Sequence, residues 1–427
     1  MTGAPGGPAR GCPADGPAAA APADGTAVMT GLLSAPGREL LDQVAAARRA
    51  GEAPLAMASR LRREYPAALV AAAAAQDELR RAAAPKFSRA ACMLFTRPGL
   101  QQASSETAAR HRAGRFSAAG LGRLADLGCG IGGDLIVLAA GREVLAVDRD
   151  PVHLALAVHN AAVYGAAGGV CGCRSDVRDV RLAGLDAVFA DPARRLPAAP
   201  GAPGRTGAGA AGGSGRRLRP GDSEPPLAWC FALVRRVPAV VVKAAPGLPA
   251  AIVPDGWETE FVADARDLKE AVLWSPALAT APTRATILPD GHTLLPEPGD
   301  AVPVAPPGAF LFDPNPAVTR AGLVEVLARR LGAWKIDPRI AFLSAGAARS
   351  TPFARTLRVM ESAPWNEKDF ARRLRAHGIG AADLRRRGLA GDVDQIRRRL
   401  KLAGPHRATV VLTRAGDRPW GLICTDP

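Results

Sequence analysis

Long apolar runs are absent from this sequence. No stretch approaches the roughly 20 consecutive apolar residues that a membrane-spanning helix needs, and the longest candidate, residues 67–75, is mostly alanine. The N-terminus also lacks a charged segment followed by an apolar one, so no signal peptide is predicted. These absences predict a cytoplasmic protein that has no membrane partner.

Cysteine is sparse and scattered. Of the seven cysteines in 427 residues, only Cys171 and Cys173 lie close together. A zinc site needs a second pair of ligands at a matching spacing, so this single Cys-x-Cys pair predicts no metal. Reduced, structural thiols suit a cytoplasmic protein.

Lysine is rare, with 6 lysines against 49 arginines among the 55 basic residues. Together with abundant Ala, Gly and Pro, this bias is typical of a GC-rich genome, so part of the arginine excess has a mutational origin. The distribution of charge is more informative. Residues 305–427 hold 22 basic against 11 acidic residues, whereas residues 1–304 hold 33 against 29. A basic C-terminal end predicts contact with a polyanion.

Composition and hydrophobic periodicity divide the chain into segments. The predicted segments are a disordered tail (1–33), a helical region (34–115), a strand-helix alternation typical of a parallel α/β sheet (116–290), a proline-rich linker (291–307) and a smaller α/β unit (308–427). Within the sheet domain, the Gly- and Pro-rich stretch 197–226 is predicted to be a disordered insertion.

Each α/β segment has its own predicted elements. In the first, we expect strands near 123–127, 143–148, 169–174, 187–190, 239–243, 258–263, 270–274 and 284–288. In the second, we expect a helix over 315–331, a strand over 339–343, and then strand, helix, strand and helix over 356–361, 366–377, 380–386 and 392–402. A terminal hairpin of 407–414 and 419–424 turns at Gly416-Asp417.

A glycine-rich turn follows the first strand of the sheet domain. In Leu124–Asp134, Gly128, Gly130 and Gly132 permit positive φ and a close approach of ligand to backbone. The amides of the helix that follows face such a ligand. The same stretch also satisfies the dinucleotide fingerprint as Gly128-x-Gly130-x-x-Gly133, so the glycines alone leave the cofactor open.

Three acids in register with these glycines favour S-adenosyl-L-methionine over a dinucleotide. Asp126, two residues before the first glycine, is placed to hold the amino group of the cofactor and would repel a pyrophosphate. Asp148 ends the second strand, where a ribose-hydroxyl acceptor is expected. Asp176 follows the third strand and is expected to accept from the adenine amino group. Taken singly, Asp148 or Asp176 is explained equally well as a solvated loop acid or a cap.

The fourth strand ends in Asp191-Pro192, at the sheet edge where ligands bind in such domains. Because methyl transfer from a sulfonium is an in-line displacement, the protein mainly has to align the acceptor and remove a proton. Asp191 is predicted to orient a nucleophilic nitrogen, and Pro192 to stiffen the turn. The alternative is a plain strand-to-turn signal.

Three basic residues near this edge are candidate substrate contacts. Arg194 and Arg195 are predicted to contact substrate phosphates, or else to be solvated. Lys243 ends the fifth strand and either contacts substrate or extends to water. No cysteine lies near Lys243 or within 191–195, which argues against the covalent cysteine mechanism of pyrimidine carbon-5 methylation.

Taken together, these residues resemble the class I S-adenosylmethionine-dependent methyltransferases, and in particular a bacterial subgroup with a C-terminal THUMP-like domain. The most specific pieces are 102–116, 126–134, 189–195, 312–318 and 385–389. Ser105-Glu106 looks like the Thr-Pro-Glu step of RNA guanine-N2 methyltransferases without its proline. Asp191-Pro-Ala-Arg194 resembles the Asp-Pro-Pro motif of amino methyltransferases, but it lacks the second proline, and Arg194 replaces the aromatic. The resemblance implies a Rossmann-like fold, S-adenosyl-L-methionine as cofactor and an RNA substrate, with tRNA as the first candidate.

Three arginine clusters, 372–375, 385–387 and 397–401, form the direct argument for RNA, since together they can follow phosphates. A solvated face is the simpler explanation for each cluster alone. Two alternatives stay open: a methyltransferase acting on a protein or small molecule, and a non-catalytic RNA-binding protein that keeps the cofactor pocket. The sequence names neither the methylated atom nor the oligomeric state.

Overall fold

The computed structural model of the chain describes residues 24–193, 223–389 and 392–427. An N-terminal helical region precedes a nine-stranded sheet and a seven-stranded sheet. The helices of the first region are α1 (Asp24–Leu33), α2 (Ala35–Arg49), α3 (Pro54–Leu61), α4 (Ala67–Ala83), α5 (Arg97–Gln102) and α6 (Glu106–Ala118).

The predicted disorder of residues 1–33 is wrong for the last ten of them, which form α1. Leu32 is fully buried where α1 packs against α2 and α4. α1 and α2 approach each other closely because Gly37 of α2 has no side chain. A Cβ on Gly37 would lie 2.1 Å from the carbonyl oxygen of Gly31 in α1. Tertiary packing stabilises this short helix, and packing is invisible in a composition rich in small residues. The rest of that prediction falls on residues 1–23, outside the described part of the chain.

The first sheet has the strand order β3-β2-β1-β4-β5-β7-β6-β8-β9. Its strands are β1 (Arg123–Leu127), β2 (Glu143–Asp148), β3 (Val170–Arg174), β4 (Ala187–Ala190), β5 (Ala239–Ala244), β6 (Glu258–Asp264), β7 (Asp267–Trp274), β8 (Thr283–Leu288) and β9 (His292–Leu294). The eight predicted strands are all present, with ends displaced by at most three residues. β1 to β5 run parallel, as predicted, but β7 is antiparallel to β5 and β6. Only Ala265 and Arg266 join β6 to β7, and parallel strands need a far longer connection.

Helices cover both faces of this sheet. α7 (Leu135–Leu138) follows the glycine turn, α8 (Pro151–Val163) follows β2, and α9 (Leu227–Ala232) precedes β5. α6 packs on one face of the sheet, over β6 and β7. Its side chains bond to Glu260 on β6 and to Glu270 on β7. The helical region is therefore part of the wall of the sheet domain.

The predicted insertion 197–226 lies mostly outside the described residues. Its last residues, 223–226, are ordered, contrary to the prediction of disorder there. Glu224 forms an antiparallel bridge with Ala193 and accepts an ion pair from Arg178. A local backbone pairing of this kind leaves no periodic signal in sequence.

The second sheet has the order β11-β12-β10-β13-β16-β15-β14. Its strands are β10 (Phe310–Pro314), β11 (Trp334–Lys335), β12 (Leu343–Ala345), β13 (Ala354–Pro364), β14 (Ile379–Arg386), β15 (His406–Ala415) and β16 (Arg418–Thr425). Its helices are α10 (Pro316–Arg320), α11 (Val324–Leu331), α12 (Glu367–Ala376) and α13 (Val393–Leu400). β15 and β16 form the predicted hairpin, with Gly416 and Asp417 both at positive φ.

Three sequence predictions in this part are wrong in detail. The helix expected over 315–331 is two helices, because Gly322 takes a φ of +72° between them. The strand expected over 339–343 lies at Leu343–Ala345, where β12 pairs with β10. The linker 291–307 contains β9, whose Leu294 is fully buried, so this proline-rich stretch is partly built into the first sheet.

The two sheets share one hydrophobic core that extends from Val188 and Val240 to Phe312 and Leu327. At the β6–β7 turn, Arg266 donates to buried Asp313 over 2.7 Å, and Arg387 reaches the same carboxylate from the other side. These contacts hold the second sheet against the β6–β7 hairpin, whose turn lies beyond the end of β5. Among the described helices, none has the length and hydropathy needed to cross a membrane.

Candidate active site

The glycine turn has the backbone that its sequence predicts. Gly128, Gly130 and Gly132 have φ values of +85°, +53° and +85°. Their roles differ, because a Cβ on Gly132 would lie 2.9 Å from Cα of Ala157 on α8, whereas nothing lies within 4 Å of a Cβ built on Gly130. Gly132 therefore serves helix packing, and Gly130 faces open space where a ligand can approach.

Asp148 holds this turn in place. Its Oδ2 accepts from the Gly130 N–H over 2.9 Å, and its Oδ1 accepts from the Asp150 N–H over 2.9 Å. Both oxygens retain further lone pairs for a hydroxyl donor. The structure thus places Asp148 at the predicted edge and gives it a second task, the positioning of Gly130.

Asp176 lies in the turn after β3, as predicted, but is already engaged. Its Oδ1 accepts from the backbone N–H of Arg178 over 2.9 Å, and its Oδ2 pairs with the Arg178 guanidinium over 3.2 Å. Arg178 also pairs with Glu224. This is the cap arrangement that the sequence left open as the alternative.

Asp126 is the most deeply buried acid of the site. It is 1% exposed, and its Oδ2 has no hydrogen-bond partner among the described residues. Burial, reinforced by the neighbouring acids Asp134, Asp191 and Asp148, raises the pKa of Asp126 well above its ordinary value. A buried carboxyl without a partner is a site for a donor that the chain itself does not supply.

At the acceptor edge, Asp191 directly follows β4, and buried Pro192 follows it. The side chain of Asp191 is 30% exposed, and its Oδ2 accepts from Nζ of Lys243, 2.6 Å away on β5. The structure brings together two of the predicted residues in one ion pair. Arg194 and Arg195 lie outside the described residues.

A buried ion network centred on Arg112 was not predicted from the sequence. This α6 side chain is 1% exposed, donates to Asp134 at the end of the glycine turn and to Glu270 on β7, and lies 5.5 Å from the ring centroid of Phe189 on β4. Burial works against the charge of Arg112, but the carboxylates of Asp134 and Glu270 outweigh it and raise the pKa. The network connects the glycine turn to β4, the strand that ends before Asp191.

A signal for this network was present in the sequence. Arg112 lies in the Arg-His-Arg segment that carried the family resemblance, and Glu270 opens the strongly apolar stretch of β7. A charged residue in a buried strand needs a partner. Which partner it takes is not readable from spacing, since Arg112 and Glu270 are 158 positions apart.

A segment of the helical region is also fastened over the glycine turn. The Asn160 side chain on α8 bonds the backbone of Leu94 and Ile131, and Gln76 on α4 bonds both backbone groups of Phe95. Farther along, Ser104 lies against Gly133, and its buried hydroxyl has no partner among the described residues. The helical region therefore closes one side of the site.

The histidines of α6 and α8 bond to other parts of the fold. His111 bonds Glu260 over 2.7 Å, His153 bonds Thr96 over 3.2 Å, and His159 bonds the Cys92 carbonyl oxygen over 3.2 Å. Within the described ranges, no group of three or more His, Cys, Asp and Glu side chains is arranged to hold a metal.

The site suits a cationic ligand. Acids of the described residues surround the turn (Asp126, Asp134, Asp148, Asp191 and Glu270), against the cations Arg112 and Lys243, and both cations are bonded to acids. A ligand with an ammonium or sulfonium charge offsets this excess, whereas a pyrophosphate increases it. These carboxyl groups therefore fit the ammonium and sulfonium groups of S-adenosylmethionine.

Three family models match parts of the chain. Residues 25–83 match a domain of unknown function, residues 121–194 match the family described as RNA cap guanine-N2 methyltransferase, and residues 354–426 match the family described as THUMP domain-like. The second match covers the glycine turn and Asp191. The third covers most of the second sheet.

Two further comparisons extend over most of the chain. A protein named as an uncharacterized S-adenosylmethionine-dependent methyltransferase, from two strains of Mycobacterium tuberculosis (CDC 1551 and H37Rv), is 37% identical over 335 residues, which cover 76% of this chain and 85% of that protein. A crystal structure of a Porphyromonas gingivalis W83 protein superposes with a TM-score of 0.70 at 20% identity, covering 91% of this chain and 98% of that one. The fold is thus shared across nearly the whole chain.

Proposed function

This chain belongs to the S-adenosylmethionine-dependent methyltransferases, and on that premise we propose that it methylates RNA, with Asp191 and Pro192 at the acceptor edge. The bound cofactor supplies an electrophilic methyl group. The tasks left to the protein are to hold the cofactor, to align the acceptor and to accept its proton.

In this proposal the cofactor lies along the glycine turn. Gly130 provides the open backbone approach, Asp126 takes the ammonium group, Asp148 the ribose and Asp176 the adenine amino group. The support is geometric: Asp126 lies near the end of β1, Asp148 ends β2 and Asp176 follows β3, and the carboxyl ends of these three strands lie side by side in the sheet. Asp176 would have to share its carboxylate with Arg178.

Asp191 is proposed to orient the acceptor nitrogen. Lys243 occupies its Oδ2, so the other carboxylate oxygen remains to accept an N–H from the acceptor. Lys243 is then a positioning residue that fixes the Asp191 carboxyl. Of the two roles that the sequence left open, substrate contact and extension to water, the second is wrong, because Lys243 is buried. Arg194 and Arg195, which follow directly, stay proposed contacts for substrate phosphates.

The observation that supports RNA most directly is a groove of about 580 Å³ on the second sheet. Three arginines line it: Arg355 from β13, Arg397 from α13 and Arg407 from β15. Asp383 and Asp426 in the same groove pair with Arg355, and Asp394 pairs with Arg397. Arg407 is exposed. Guanidinium groups bind phosphate oxygens through paired hydrogen bonds, so we propose that Arg397 and Arg407, which are both exposed, contact RNA phosphates in this groove.

The family matches add to this argument. The THUMP-like match spans the groove, and modules of this kind are associated with RNA modification. The guanine-N2 match spans the cofactor turn and Asp191, which favours an exocyclic amine as the methylated group. Arg194, at the place of the stacking aromatic, is the departure from that pattern, so the acceptor base is left open in the proposal, with tRNA as the first substrate to test.

The deciding experiment measures transfer of labelled methyl groups from S-adenosylmethionine to bulk RNA of a deletion strain, followed by mass spectrometry of the nucleosides. We expect one methylated nucleoside to appear with the wild type and incorporation to fall at least about a hundredfold in Asp191→Ala. Equal incorporation by both proteins would remove Asp191 from the mechanism. No incorporation into RNA, with methylation of a protein fraction instead, would overturn the RNA proposal.

Binding to tRNA provides a second test. Arg397→Ala with Arg407→Ala should weaken binding and reduce the dependence of log affinity on log salt concentration by roughly one for each phosphate that the variant no longer neutralises. The matched control is Arg62→Ala with Arg63→Ala, two exposed arginines of the helical region. An equal weakening in both double variants would show binding by overall charge and not by the groove.

A further inference from the structure

The carboxyl group of Asp126 is enclosed by elements that, within the described residues, leave it without a cation of its own. The elements around it contribute Asp148 from β2, Asp191 after β4, and Asp134 and Cys129 from the glycine turn. The cation that acts on it appreciably is Lys243 on β5, whose ammonium is bonded to Asp191. Arg112 is likewise bonded to Asp134 and Glu270. Both positive charges are therefore bonded to acids other than Asp126.

An ionised carboxylate in that position would be costly in the free protein. It would be 1% exposed, with an oxygen lacking any donor in the described residues and with three other acids close by. Burying an unpaired charge costs far more than burying a neutral acid. Asp148 differs, since two backbone N–H groups donate to it.

We propose that Asp126 is a neutral carboxylic acid in the free protein and that binding of the cofactor's ammonium group expels its proton. This inference rests on the proposed cofactor-binding role of Asp126. The O–H bond of the carboxylic acid breaks, the proton leaves to solvent, and the carboxylate accepts an N–H from the ammonium group, which keeps its own protons. Cofactor binding thus releases one proton, and the acid distinguishes ligands that carry the amino-acid end from nucleosides that lack it.

The direction of the pH dependence follows. Burial and the neighbouring acids raise the pKa of Asp126 in the free protein well above 3.8, and a bound ammonium lowers it. The free protein therefore binds the proton more tightly than the complex does, so cofactor affinity rises as pH rises through the pKa of the free protein.

The experiment is calorimetric titration of the full-length protein with S-adenosylhomocysteine, at a series of pH values from about 5 to 8, in buffers of different ionisation enthalpy. The slope of apparent enthalpy against buffer ionisation enthalpy counts the protons released. We expect about one proton at pH values below the pKa of Asp126 in the free protein, and a fall toward none above that pKa. The matched ligand is 5′-methylthioadenosine, which keeps the nucleoside and thioether but lacks the amino-acid end; its binding should release none.

The variant Asp126→Asn assigns the proton. Asparagine copies the volume of a neutral acid, so the variant should melt at the wild-type temperature, bind S-adenosylhomocysteine at least about tenfold more weakly and release no proton. Binding of S-adenosylhomocysteine to the wild type without proton release would overturn the inference, as would equal release with 5′-methylthioadenosine. Unchanged release in Asp126→Asn would assign the proton to another group, such as the buried Cys129 thiol, and also overturn it.

These outcomes are separable from the proposed RNA activity. Proton release without methyl transfer to RNA would overturn the RNA proposal alone. Methyl transfer to RNA with no proton release would overturn only the present inference.

Discussion

Lys243 donates a hydrogen bond to Asp191 over 2.6 Å, across the carboxyl ends of the neighbouring parallel strands β4 and β5. Lys243 is 5% exposed. Burial opposes its charge, but the carboxylates of Asp191, Asp134 and Glu270 together outweigh burial and raise the pKa of Lys243. The pair fixes the carboxyl group of Asp191 at the proposed acceptor edge. Lys243 bonds only Oδ2, so Oδ1 of Asp191 can accept a hydrogen bond from the acceptor.

Replacement of Lys243 by methionine should destabilise the protein and reduce methyl transfer. Breaking a buried pair costs about 3–5 kcal/mol, and we expect about 2–3 kcal/mol here because Asp191 is partly exposed to water. The double variant Lys243→Met with Asp191→Asn should recover most of the free energy of unfolding, because no unpaired charge remains, but not the activity. Chemical denaturation and methyl transfer assays measure the two effects. Lys269→Met, at an exposed ion pair, is the control. An equal loss of stability and activity in that variant would show that the buried Lys243–Asp191 pair has no particular role.

Alanine at two glycines of the turn should have opposite consequences. Gly132→Ala places a Cβ 2.9 Å from Cα of Ala157 at a φ of +85°, so we expect a loss of more than about 2 kcal/mol in folding stability. Gly130→Ala meets no atom within 4 Å and should cost only about 1 kcal/mol. It should nevertheless weaken cofactor binding at least about tenfold. Thermal melts and calorimetry separate the two, and a stable Gly132→Ala protein would contradict the packing role.

Arg112 and Arg110 provide a matched pair on one helix. Arg112→Met leaves Asp134 and Glu270 buried without a cation and should lower the free energy of unfolding by about 3–5 kcal/mol. Arg110→Met removes a surface pair with Glu106 whose arginine is 61% exposed, and should cost below about 1 kcal/mol. Denaturant titrations test this order; similar losses would mean that the buried network does not stabilise the fold.

Acid sensitivity should depend on Glu260. Burial alone would raise its pKa, but hydrogen bonding to His111 and the charges of His111 and Arg115 lower it from 4.5 to about 2. A depressed pKa contributes stability that is complete above the ordinary value and is lost as pH falls through the folded-state value. Glu260→Gln should therefore be less stable at neutral pH and lose less on acidification between about pH 4.5 and 2. Glu143→Gln, at a side chain 80% exposed, should leave the pH profile unchanged.

The sequence alone determined the order of the site elements. The glycines at 128, 130 and 132 follow β1, and the acids at 126, 148 and 191 lie at the carboxyl ends of β1, β2 and β4, which are neighbouring parallel strands and so meet at one edge. Strand positions in the first sheet were predictable because buried strands are short apolar runs between turn residues. The packed helix α1 and the strand β9 were not, because α1 is stabilised by packing against α2 and α4, and the three residues of β9 are too few to show an alternating pattern before they pair with β8.

Only the tertiary structure decided which charges are paired. Asp126, Asp134 and Asp191 are all predicted to lie near the turn, yet Asp134 pairs with Arg112, Asp191 pairs with Lys243, and Oδ2 of Asp126 has no partner in the described residues. Pairing depends on distances of a few ångströms between side chains far apart in sequence, and on how completely water is excluded around them. Neither quantity has a period or a spacing in the chain, because both are set by the packing of α6 and the neighbouring strands.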